Sequence, residues 1–213
     1  GKNDWSDARL NYLLNPGHES ESVGGSLYWN SGSGTCYNGR NNATTNCDFT
    51  STGLKEEASN MIGDTLWYLG GTSSYSSASH GLASHFYGYE RGTTVYSGRD
   101  TSFVGKIGLM YPSDYGYATS GGSTKDRNAC LNKELGNWDS SEFSDCKNND
   151  WLYESSYAQW TLSPHASSSV IVFIVYSSGY VSTGNAGNSI GVRPVAFLKS
   201  NIKIVDGDGS SSN

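Results

Sequence analysis

The stretch SPHASSSVIVFIVYSSGYVSTGNAGNSIGVRP at 163–194 changes character twice. Small polar residues give way to the β-branched run VIVFIVY, which dissolves into Ser, Thr, Gly and Asn before a stiff GVRP. β-branched and aromatic residues fit a pleated, half-buried surface, so VIVFIVY predicts a buried strand, and Ser177-Ser178-Gly179 predicts the turn of a hairpin. Working outward, QWTLSP at 159–164 and GVRPVAFLKS at 191–200 read as further strands. NIKIVDGDGSSSN at 201–213 reads as a last short strand with a polar tail.

Upstream, SDARLNYLLNPG at 6–17 predicts a short helix, capped by Ser6 and stopped by Asn15-Pro16-Gly17, with Leu10, Leu13 and Leu14 on one face. Leu54, Ala58, Met61, Ile62 and Leu66 follow helical spacing, which predicts a second helix within GLKEEASNMIGDTLWYLGG at 53–71. Between the two, SLYWN at 26–30 reads as a strand. Residues 72–150 are rich in turn formers, with brief apolar segments HFYGYE, TTVY and KIGLMYPSDYGYA. That length is too great for an empty loop, and it reads as a large insertion with short strands. Two helices, a small antiparallel sheet and long loops in one domain over 1–213 make an α+β arrangement.

With 213 residues the chain is long enough for one substantial core. Its formal net charge of -6 lacks the clustered cations that phosphate backbones require, so nucleic acid is not an expected partner. The four cysteines form two local pairs, Cys36 with Cys47 and Cys130 with Cys146, each in a hydrophilic segment. Three pairings are formally possible, and the sequential one is expected to pin the two loops. Disulfides of this kind indicate an extracellular, oxidising location. There is no signal peptide, no apolar run of transmembrane length and no initial Met, which fits a mature or trimmed fragment. Five of the tryptophans, Trp5, Trp29, Trp67, Trp151 and Trp160, sit beside apolar residues and are expected in the core.

Enzyme templates lack their starting residues: HExxH, GxSxG and a phosphate-binding Walker loop are all missing from the sequence. Of His18, His80, His85 and His165, the pair His80 and His85 could form a metal or acid–base site but lacks a nearby carboxylate triad, and no catalytic residue, metal site or cofactor is assigned. Structural calcium at Asp139, Glu142 and Asp145, or at Asp206-Gly207-Asp208-Gly209, competes with simple loop solubility, the stronger reading. Asn42-Ala43-Thr44 matches a glycosylation acceptor.

The combination of WTLSP at 160–164, VFIVYSSGYV at 172–181 and GVRPVAFL at 191–198 resembles the end of a C-type lectin-fold domain. It is most similar to variable proteins diversified by retroelements, in particular the pilin-like surface group of gut Firmicutes. NDWSDARLNYLLNPG, SVGGSLYWNSGSGTCYNGRNNATTNCDFTSTGLK, GKIGLMYPSDYGYATSGGST and CKNNDWLY extend the likeness over nearly the whole chain. The calcium-dependent sugar signatures EPN and QPD are absent, so the fold alone implies no sugar specificity.

The resemblance implies a C-type lectin-like domain displayed at a cell surface or pilus, anchored through a preceding segment, with a variable region at about 160–195. It implies a frame of Trp160, Leu162, Val172, Phe173, Val175, Gly191, Arg193, Pro194, Val195 and Phe197, with Arg193 bonded internally. It implies a variable ligand surface of His165, Ser167, Ser168, Ser169, Ile171, Ile174, Ser182, Gly184, Asn185, Gly187, Asn188 and Ile190. The expected partner is a protein or glycan on another cell, phage or host surface. The alternatives are a structural minor pilin or pilus-tip subunit, and then a formylglycine-generating-type enzyme, whose chemistry needs a free cysteine.

Overall fold

The structure is a computed structural model that describes residues 1–36 and 46–203. In chain order it contains α1 (Arg9–Leu14), β1 (Ser33–Thr35), β2 (Asn46–Asp48), α2 (Glu56–Met61), β3 (Thr65–Tyr68), α3 (Ala83–Glu90), β4 (Ser102–Gly105) and β5 (Ile107–Leu109). There follow α4 (Pro112–Ala118), α5 (Arg127–Leu131), α6 (Ser144–Asn148), β6 (Gln159–Pro164), β7 (Ile171–Val175), β8 (Val181–Asn185) and β9 (Pro194–Ala196). The strands form small antiparallel sheets, β1-β2, β3-β4, β5-β9 and β6-β7-β8, so the chain is α+β.

QWTLSP and the VIVFIVY hairpin fold as their pattern predicts, whereas the strand expected over 191–200 is limited to Pro194–Ala196 and residues 201–203 are not in a strand. β7 and β8 pair in register from Ile171↔Asn185 to Val175↔Val181. Their turn is closed by Tyr176 N–H donating to Tyr180 O at 2.9 Å, with Gly179 at φ +90°, a conformation that side chains resist. Every residue of β6 is buried, because this sheet has a core on each face. Phe173, Val175 and Val181 join Phe86, Tyr115 and Trp138 on one face. Val172, Ile174 and Trp160 join Leu162, Leu109 and Trp67 on the other.

Residues 72–150 contain the expected short strands, β4 and β5, but are more than loops. They supply α3, α4 and most of the first core, including Met110, Tyr115, Leu135 and Trp138, all at most 1% exposed. HFYGYE lies inside α3, TTVY lies outside the helices and strands, and only Ile107–Leu109 of KIGLMYPSDYGYA is extended. Pro112 then starts α4, with Asp114 accepting the Tyr111 N–H at 2.9 Å. The α3–α4 contact is close: a Cβ on Gly116 would lie 2.5 Å from the Ala83 Cβ. The Cys130–Cys146 disulfide is fully buried in this core, and Cys36 is joined to Cys47 beside β2.

Four other expectations are corrected. The helix expected across 53–71 stops at Met61, because Gly63 and Ile62 pair with the chain at Phe197 and Leu198 and TLWY joins β4. SLYWN forms successive turns rather than a strand; Ser26 and Ser31 take positive φ, which no strand accommodates. Ser6 does not cap α1, whose N-cap position is Ala8; its hydroxyl donates to Asp100 at 2.8 Å instead. Trp151 is 75% exposed, whereas Trp138, inside the second cysteine loop, is completely buried. The tail at 204–213, with Asp206 and Asp208, and the Asn42-Ala43-Thr44 acceptor lie outside the described residues.

Candidate functional site

The two polar stretches flanking VIVFIVY meet at one end of the β7–β8 pair. Ile171 stands opposite Asn185, and Ala186 N–H donates to Val170 O at 2.8 Å. Strand alternation then divides the expected surface. Ser182 and Gly184 lie on the same face as Val172 and Ile174, where Ile190 also packs. His165 belongs to the opposite side, its ring 6.1 Å from Phe173 and 6.2 Å from Tyr75. Ser167, Asn185 and Asn188 are exposed; His165, Ser168, Ser169, Ile171, Ser182, Gly184, Gly187 and Ile190 are half-buried. Ile174 departs from the expected surface: it is 2% exposed and faces Trp160 across β6 and β7.

The frame behaves unevenly. Trp160, Leu162, Phe173 and Val175 are buried, Val172 is half-buried, and Gly191 O accepts the Trp160 N–H at 3.0 Å. Pro194 and Val195 pair with β5. Arg193 donates to Trp151 O at 3.4 Å, a long bond for an internal anchor. Phe197 is 53% exposed although its ring lies 5.3 Å from that of Trp67.

On the Ile174 face a cavity of about 820 Å³ opens beside this surface, within the usual size range of ligand pockets. Buried Trp160 and Leu162 and half-buried Val172 line it with Gly187 and Asn188, and the N-terminal residues 1–5 and 7–10 form another wall. That wall is a contributor the sequence pattern did not disclose. Asn3, 5% exposed, donates from Nδ2 to the carbonyls of His165, Ser168 and Ile171 at 3.1, 2.6 and 3.0 Å. Arg99 reaches Asn3 Oδ1 and Ser169 O, both at 3.3 Å, and pairs with Asp4. No periodicity marks Asn3, because a carboxamide serving distant carbonyls has no local spacing.

No family model matches the chain, and neither a curated protein nor a solved structure shows significant similarity to it.

The chemistry offered here is recognition by hydroxyls, carboxamides and main chain. Partial burial lowers the His165 pKa and favours the neutral ring, whose Nδ1 lies 3.4 Å from the Ser167 hydroxyl and amide. Asn185 Oδ1 accepts the Gly187 N–H at 2.9 Å, so that side chain also shapes its turn. Elsewhere, His18 stacks on Tyr12 at 4.5 Å, His80 bonds Ser77 at 2.9 Å, and His85 accepts the Leu82 N–H at 3.3 Å.

The acidic loop residues have protein partners. Asp145 accepts the Thr124 hydroxyl and amide, both at 2.7 Å, and these bonds lower its pKa. Glu142 pairs with Lys125 at 3.5 Å. Among the described residues no group of three or more His, Cys, Asp or Glu could hold a metal, Asp139 included. No helix among them is long and apolar enough to cross a membrane, and both disulfides suit an oxidising compartment.

Proposed function

We propose that the chain is a surface-displayed ligand-binding module of receptor or adhesin type, built on a C-type lectin-like scaffold, whose contact region is the end of β7–β8 with its two polar loops. The observation that carries this reading is the division of labour in one sheet. β6 and the inner half of β7 are buried, while the polar segments 165–171 and 182–190 meet at the other end of β7–β8, with Ser167, Asn185 and Asn188 exposed there. The adjoining cavity gives a ligand depth as well as area. Pairing of the four cysteines as Cys36–Cys47 and Cys130–Cys146 leaves no thiol for formylglycine-type chemistry, which favours binding over that alternative.

The ligand class is a protein or glycan displayed on another cell, a phage or a host surface, and variation at the loop residues by a retroelement would set its identity. Two experiments test this. Sequencing of close gene copies and their neighbourhood should find a reverse transcriptase and differences concentrated at Ser167–Ser169 and Ser182–Ile190; equal variation at Trp160, Phe173 and Val175 refutes the assignment. Arrays of purified glycans and surface proteins should lose their signal with the combined His165→Ala, Asn185→Ala and Asn188→Ala variant. Unchanged binding moves the site elsewhere.

A further inference from the structure

We propose that Asn3 and Arg99 form a main-chain clamp that fixes the loop 165–171 whatever side chains it carries, making them positioning residues of the contact surface; this rests on the reading of that surface as ligand-binding. The argument is one of bond type and length. The two N–H groups of the buried Asn3 carboxamide are shared among three loop carbonyls, His165 O, Ser168 O and Ile171 O, at 2.6–3.1 Å. The Asn3 main-chain N–H donates to a fourth, Ser169 O, at 2.9 Å. Arg99 Nη2 adds a second donor to Ser169 O at 3.3 Å, while its Nε holds Asn3 Oδ1 and its Nη1 faces Asp4 at 3.3 Å.

The remaining short ties are also main-chain. His165 N–H donates to Ile171 O at 3.0 Å, Ala166 N–H to Thr72 O at 3.1 Å, and Ala186 N–H to Val170 O at 2.8 Å. By contrast, the bonds made by loop side chains, Ser167 to His165 Nδ1 and Val170 N–H to Ser168 Oγ, are all 3.4 Å. Hydrogen bonds at that length contribute little beside those near 2.9 Å. The loop is therefore held by atoms every residue possesses, and its serine side chains are spare. A surface whose residues vary needs such a holder, since a loop shaped by its own side chains would change conformation with each substitution.

Site-resolved amide exchange on the folded protein tests this without any ligand. In Asn3→Ala, exchange at His165, Ala166 and Ala186 should rise on the order of tenfold or more, as expected for losing at least one net hydrogen bond of about 1.4 kcal/mol. Amides of β6 should keep their rates. A paired Ser167→Tyr, Ser169→Tyr variant should leave all these rates at their original values. Should Asn3→Ala fold poorly, Arg99→Met keeps the carboxamide and should give a smaller rise confined to the same amides. Asn3→Asp supplies a signature of the donor role: the loop should open at about pH 7, where a carboxylate faces carbonyls. It should close again near pH 4, where the protonated acid donates, once intrinsic exchange is corrected. Unchanged rates in Asn3→Ala, or loop opening caused by the tyrosines, would overturn the clamp. A protein that passes these tests yet binds nothing on the arrays would leave the clamp standing and refute only the binding function.

Discussion

Asn15 exchanges two hydrogen bonds with the main chain of Ile107, 92 residues further along: its Nδ2 donates to Ile107 O at 3.0 Å and its Oδ1 accepts the Ile107 N–H at 2.9 Å. The same Oδ1 accepts the Lys106 N–H at 3.0 Å, and Nδ2 also reaches Asn11 Oδ1 at 2.8 Å. A residue that ends α1 thus docks β5, acting as a short piece of strand. Asn15 is 3% exposed, so removing its carboxamide strands main-chain groups away from water. Asn15→Ala should cost about 2–4 kcal/mol, read as a lower denaturant midpoint with unchanged slope. A loss below about 0.5 kcal/mol would mean that water replaces the side chain there.

Stability should fall as pH rises from about 5 to about 8. Burial pushes the Asp150 carboxyl up to about 8 against the opposing bond from Leu152 N–H and the attraction of Arg193. Burial likewise raises Glu90 to about 7, although the Ser113 hydroxyl and amide bond its carboxylate and Arg91 lies beside it. Each carboxyl binds its proton more tightly when folded, so its contribution is full below its unfolded pKa and is lost as pH rises through the folded value. Asp150→Asn, which keeps the acceptor for Leu152, should flatten thermal-melt curves between about pH 7 and 8 by roughly 1 kcal/mol per pH unit. An equal slope in this variant would place the titration elsewhere.

The two disulfides should differ in weight. Cys130 and Cys146 are both fully buried within the first core, whereas Cys36 is half-buried beside a two-stranded sheet. Replacing the Cys130–Cys146 pair with alanines should cost about 3–5 kcal/mol, through lost loop closure and lost packing around Trp138. Replacing Cys36 and Cys47 should cost closer to about 2 kcal/mol. Differential scanning of the two variants would reverse this ranking only if the first core were less cooperative than its burial implies.

Large residues should separate true surface positions from core ones. Ser167→Tyr, Asn188→Tyr and Ser169→Tyr should each change stability by less than about 0.5 kcal/mol. Ile174→Tyr should cost about 2 kcal/mol or more, because it forces a ring and a hydroxyl against Trp160 in the second core. Urea titrations of the four variants measure this directly. A neutral Ile174→Tyr would return that position to the contact surface.

The sequence by itself determined the β-rich last third and its hairpin turn at Gly179, and it favoured the sequential pairing of the cysteines that the structure contains. Those features are local: period-2 alternation, a glycine at positive φ, and short loops between cysteines all act within about twenty residues. It also indicated which stretches near β7 are polar. It did not disclose that residues 72–150 build a core, because α3 and α4 carry Tyr, Gly and Ser that read as loop until packed. It misread 62–71 as helix because pairing with β4 and with Phe197–Leu198 overrides local spacing. The resemblance placed Ile174 on the variable surface, but both faces of its strand are covered and Ile174 packs in the second core.

Only the tertiary structure decided that the expected surface divides between two sides of a sheet, and that its loop is held by Asn3. The physical reason is the same in each case. A carboxamide reaching carbonyls 162–168 residues away, or a strand buried on both faces, depends on contacts that no local pattern encodes.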